Sequence, residues 1–111
     1  MDRIEKYREI VRKTIEEYAS HKSSIGDIRS EAVIDTEHDH YEVMNVGWSG
    51  WRRVHGSVIH VDIIEGKVWI QQDGTDRPVA EVFLEAGIPR EDIVLGFQPA
   101  HLRQHTDFAV A

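Results

Sequence analysis

The sequence predicts an α+β fold: an N-terminal amphipathic helix, a four-stranded antiparallel meander sheet, a short second helix and an irregular C-terminal segment. Three observations lead there. Apolar residues near the N-terminus recur at spacings of three and four, and the middle of the chain alternates with a period of two. Each change of period coincides with Gly, Ser or Pro. A chain of 111 residues has room for one hydrophobic core, so residues 1 to 111 are expected to form one domain.

Ile4, Tyr7, Ile10, Val11, Thr14, Ile15 and Tyr18 form a single stripe on a helix spanning about residues 2 to 21. Its other face is charged, with Asp2 and Lys6, Glu9 and Lys13, and Arg12 and Glu16 four apart and opposite in sign. The run HKSSIGD then reads as a loop. Strands follow over 28 to 36, 41 to 48, 52 to 64 and 67 to 73. They are joined by EHD near 38, by Ser49 and Gly50, and by Glu65 and Gly66. Such short connections make hairpins, because parallel neighbours need crossovers of a dozen residues or more. Val58 beside Ile59 breaks the alternation of the third strand, and a β-bulge near Gly56 reconciles its two halves. Pro78 opens a helix over 78 to 86, with Gly87 as its stop. The apolar run from Ile93 to Phe97 is too brief to classify by period, and the closing FAVA is apolar enough to dock.

Composition narrows the function. Thirteen Lys and Arg against 20 Asp and Glu give a net charge of −7, so the mean field opposes nucleic acid, whose non-specific binding comes mainly from Lys and Arg neutralising phosphates. The densest basic patch is Arg52 with Arg53. DNA contact is therefore expected to be weak or indirect. There is no Cys, which excludes disulfides, thiolate metal sites and cysteine nucleophiles. The start MDRIEKYREI has no signal-peptide core and no stretch approaches a membrane span, so the expected location is the cytoplasm, without membrane contact.

The densest group of chemically able side chains is DTEHDHY, with Asp35, Glu37, His38, Asp39 and His40 in six positions. In a hairpin turn these side chains splay apart, and Asp is favoured in turns for its backbone hydrogen bonds. His101 and His105 in HLRQH are four apart, but HExxH is absent and Pro99 disfavours a helix. His55 and His60 point to opposite faces of a regular strand, an assignment a bulge between them would reverse. No GxSxG, GxxxxGK[ST] or GxGxxG motif is present. No catalytic, cofactor-binding or metal-ligating residue is assigned, and the protein reads as no enzyme. Trp48, Trp51, Arg52 and Arg53 combine the residue types enriched in interface hot spots and form the candidate partner interface. The alternative is that Trp48 closes the core while both arginines are solvated.

The runs DTEHDHYEVMNVGW, RRVHG, HVDI, KVWIQQDGT and EDIVLGFQP, with the closing FAVA and the YREIV of the first helix, resemble the XisI family over essentially the whole chain. The sequence departs from the family pattern at His38, where Arg is expected, and at Asp107, where Gly is expected. The resemblance implies a small α+β protein that controls excision of the fdxN element, a programmed DNA rearrangement of cyanobacterial heterocyst development. It implies no catalytic residues, because a separate recombinase performs the chemistry, and it implies a XisH-like protein as partner. A second copy of this chain is the other candidate for the Trp and Arg surface. Direct DNA binding as an excision factor is the alternative function, and a metal-dependent enzyme built on residues 35 to 40 comes after it.

Overall fold

The structure, a computed structural model, describes residues 2–21 and 27–111. Helix α1 (Arg3–Ala19) is followed by strands β1 (Asp27–Asp35), β2 (His40–Ser49), β3 (Arg52–Ile64) and β4 (Lys67–Asp73). Helix α2 (Val79–Ala86), a 3₁₀ turn (Arg90–Asp92), strand β5 (Ile93–Leu95) and helix α3 (Ala100–Arg103) complete the chain. The loop expected in HKSSIGD falls largely outside the described residues.

Helix α1 starts where Asp2 accepts the backbone N–H of Glu5 at 2.9 Å, a cap of the kind that contributes about 1 kcal/mol. Its stripe buries Tyr7, Val11, Thr14 and Ile15. The Tyr7 hydroxyl donates to the Asp92 carboxylate, so a residue on the apolar stripe also ties the helix to the 3₁₀ turn. Burial, with Asp92 beside it, pushes the Tyr7 hydroxyl up to about 12. Helix α2 begins after Pro78 and ends at Gly87, whose left-handed φ of 109° closes the last turn.

Strands β1 to β4 pair antiparallel in sequence order, as the short connections require. The expectation of four antiparallel strands needs one correction: the sheet has five, and β5 pairs parallel to β4 through Val68 with Ile93 and Ile70 with Leu95. Residues 74 to 92, with α2 inside them, are long enough for the crossover a parallel neighbour demands. Three residues carry no readable period, which is why the strand is hidden in the sequence. The C-terminal segment is likewise more regular than expected. It holds α3, and Ala109 donates its N–H to Ile93 at 2.9 Å while Phe108 packs on the core, so the closing FAVA does dock.

The β3 bulge is where alternation places it. Val43 pairs with Ile59 and Met44 with Ser57, leaving Val58 as the extra residue. Both α1 and α2 lie on one face of the sheet. Tyr7, Val11, Ile15, Val79 and Phe83 pack there against Tyr41, Val43, Ile59, Val61, Val68 and Ile70. The other face therefore carries the alternate residues of β2 and β3, and the site is built on it.

Candidate functional site

The tip of the β2–β3 hairpin carries the aromatic and basic group singled out above. Ser49 pairs with Arg52, so the turn is Gly50 and Trp51, one residue later than expected. Gly50 takes a φ of 61°, the positive region that a tight hairpin turn asks of its first central residue. Trp51 at the apex is 100% exposed and Trp48 is 50% exposed. Trp48 pairs across the ladder with Arg53, whose guanidinium carbon lies 5.3 Å from the Trp48 ring centroid. Arg53 also donates to the Gly47 carbonyl at 3.4 Å, while Arg52 lies exposed beside Ser49. Trp48 is thus half exposed and no part of the core, with the Arg53 guanidinium stacked on its indole.

Gly47 positions this tip by a close approach. A Cβ there would stand 1.9 Å from the Asp27 carbonyl oxygen of β1, at a φ of 155°. Gly47 lies within a strand, where β1 comes too close for a side chain.

Residues 35 to 40 divide among three sets of partners. Asp35 accepts the N–H groups of Glu37 and His38 at 3.0 Å each and faces His38 Nδ1 at 2.9 Å. The backbone N–H of His38, then its ring, hold the Asp35 carboxyl below the usual carboxylate range. Asp39 is drawn inward to Arg8 Nε at 2.9 Å and to the Tyr41 hydroxyl at 3.0 Å. His40 points to the open face, where Asp62 stands opposite it. His101 lies in α3, which ends at Arg103 before His105, so the two do not share a helix face.

Sequence reasoning did not single out Asp62. Its Oδ1 lies 2.7 Å from His40 Nδ1 and 2.8 Å from His60 Nε2, and its Oδ2 accepts from Gln71 at 3.2 Å. Burial alone would raise the Asp62 carboxyl, but the hydrogen bonds from His40 and His60 outweigh it and hold the group below its ordinary value. The hydrogen bond to Asp62 raises His40 in turn. The available signal was the His-x-Asp spacing at 60 and 62, two residues that share a strand face. The β3 bulge also brings His55 to this face, since it pairs with Val46 while His60 pairs with Glu42.

Two helices packed on one face of the sheet leave His40 and the hairpin tip of β2 and β3 exposed. A family model described as XisI protein matches residues 1–110. The chain belongs to the XisI family. Among solved structures, a XisI-like protein from Anabaena variabilis is 50% identical, with 96% of this chain and 97% of that chain covered at a TM-score of 0.89. A second, the fdxN element excision controlling factor XisI from the same organism, is 34% identical over 99% of this chain and 100% of that one, with a TM-score of 0.86. No curated protein matches the chain. Among the described residues of this XisI family member, no helix is long and apolar enough to cross a membrane.

Proposed function

We propose that this XisI family member is a non-catalytic factor that controls excision of a DNA element of the fdxN type, acting through protein partners, a XisH-like protein first among them. Its contact surface is the hairpin tip of Trp48, Trp51, Arg52 and Arg53. The observation that carries this reading is the fully exposed Trp51 at the apex of a hairpin whose neighbouring indole is stacked under Arg53. A solvated indole gains by being covered, and a stacked guanidinium offers its remaining donors to carboxylates or carbonyls of a partner. The process itself is suggested by the 34% identical relative that bears the name of an excision controlling factor. The net charge of −7 and a basic patch of two residues favour protein over DNA as the direct partner.

Co-expression of the chain with a XisH-like protein is expected to give a complex that survives size-exclusion chromatography, and Trp51→Ala with Arg53→Ala is expected to dissociate it. Labelled duplex DNA titrated at about 150 mM salt is expected to show only weak binding by fluorescence anisotropy. Sub-micromolar DNA affinity that collapses as salt rises would replace this reading with direct DNA binding.

A further inference from the structure

The middle of the open sheet face carries a square of four ionisable side chains that partner binding at the tip leaves unused. His40 and Glu42 project from β2, and their direct cross-strand partners on β3 are Asp62 and His60. Residues two apart on a strand share a face, so the antiparallel register puts the imidazoles on one diagonal and the carboxylates on the other. The local charge favours a cation, with Asp35 as a further carboxylate opposite His40.

Three of the four converge on one point. His40 Nδ1, His60 Nε2 and one oxygen of Asp62 all lie within 4.8 Å of one another. Gln71 engages Asp62 Oδ2, so the two imidazole nitrogens address the remaining oxygen, Oδ1, at 2.7 and 2.8 Å. Asp62 is 7% exposed and held in place, whereas the ring of His40 is open to solvent and provides the path in. Glu42 Oε1 stands 3.7 Å from His60 Nδ1, the nitrogen that faces away from Asp62. With an ion on Nε2, His60 carries its proton on Nδ1, the side that Glu42 occupies, the arrangement that orients metal-binding histidines.

We propose that His40, His60 and Asp62 bind one divalent transition-metal ion of the zinc class, with Glu42 orienting His60 and the fourth position open to solvent on the His40 side. Two imidazoles with one carboxylate select such ions over calcium or magnesium, which prefer all-oxygen shells. Ligand bonds of about 2.0 to 2.2 Å place tetrahedral donor atoms about 3.3 Å apart. The present spacing therefore widens by about half an ångström on binding, a movement the solvent-exposed His40 ring allows. The ion takes the place of the two N–H protons that otherwise bond both rings to Oδ1. The assignment is independent of the partner surface, since none of its residues belongs to the tip.

Chelator-treated full-length protein titrated with zinc by calorimetry is expected to bind one ion per chain. Cobalt in its place is expected to give visible absorption bands distinct from those of the hexaaqua ion. His40→Ala, an exposed position that leaves the core untouched, is expected to weaken zinc binding at least about tenfold, and His60→Gln to do the same. His38→Ala and His101→Ala are expected to bind as the parent does. Circular dichroism accompanies every variant, so that loss of binding is read only on folded protein. Absence of saturable zinc binding to the parent overturns the proposal. So does full affinity in the folded His40→Ala, or a loss of binding that follows His101→Ala instead.

Discussion

The same two strands, β2 and β3, run from a covered end to a bare one. At the covered end Tyr41, Val43, Val61 and Ile63 lie beneath α1 and α2 and are buried. At the other end Trp48 is half exposed and Trp51 fully so, although the side chains there are larger and as capable of burial. Length accounts for the difference. The 13 residues of β3 extend about 43 Å at 3.3 Å each, whereas the 17 residues of α1 reach about 26 Å at 1.5 Å each. A helix that short protects only part of such a strand, so what an aromatic does here is decided by where it falls along the hairpin and not by its type.

The strongest way to sharpen that contrast is to hollow the covered end. Phe83 is fully buried between α2 and the sheet, and Phe83→Ala is expected to cost about 3 to 5 kcal/mol of stability, read as a lowered denaturant midpoint. Partner binding by the folded fraction should persist. At the bare end the pattern inverts: Trp51→Ala and Arg53→Ala should each weaken partner binding by about 1 to 4 kcal/mol while changing stability by less than about 0.5 kcal/mol. A melting temperature that falls sharply in Trp51→Ala would break the comparison, because it would mean that the tip contributes to the fold.

A third variant separates backbone from side chain at the tip. Gly47→Ala drives a methyl into the Asp27 carbonyl, and peeling β1 away to relieve it is expected to cost about 1 to 3 kcal/mol, measurable by thermal unfolding. The last effect belongs to the covered end and depends on pH. The Tyr7 hydroxyl titrates at about 12 when folded and near 10 when unfolded, so the unfolded chain releases its proton first and stability falls as pH rises from about 10 towards 12. Tyr7→Phe should flatten that alkaline loss and lower stability near neutral pH by about 1 kcal/mol, since Asp92 loses its donor. The flattening is partial because Tyr41, raised by burial and by Asp39, contributes in the same direction.

Much of the fold is legible from neighbours in sequence. The stripe of α1, the meander, the Val58 bulge and the helix between Pro78 and Gly87 each follow from signals a few residues long. The hairpin turn at Gly50 and Trp51 is displaced by one residue from its expected place because the last ladder pair, Ser49 with Arg52, sets it, and Gly-Ser composition alone does not. Of the candidate site, the exposed indoles and arginines are readable as residue types, but their exposure is not. Asp62 does not stand out in the sequence because an acid in a β-strand looks like ordinary outward alternation until the register places it between two imidazoles.

By itself the sequence determined the order and nature of the local elements, the acidic balance and the absence of cysteine chemistry, because each depends on composition or on a repeat within one segment. Tertiary structure alone decided the parallel fifth strand, the approach of β1 over Gly47, the bareness of the hairpin tip and the meeting of His40, His60 and Asp62. Each of these depends on the distance between residues far apart in the chain. That distance is set only when a helix of fixed length has been laid on a sheet of fixed register.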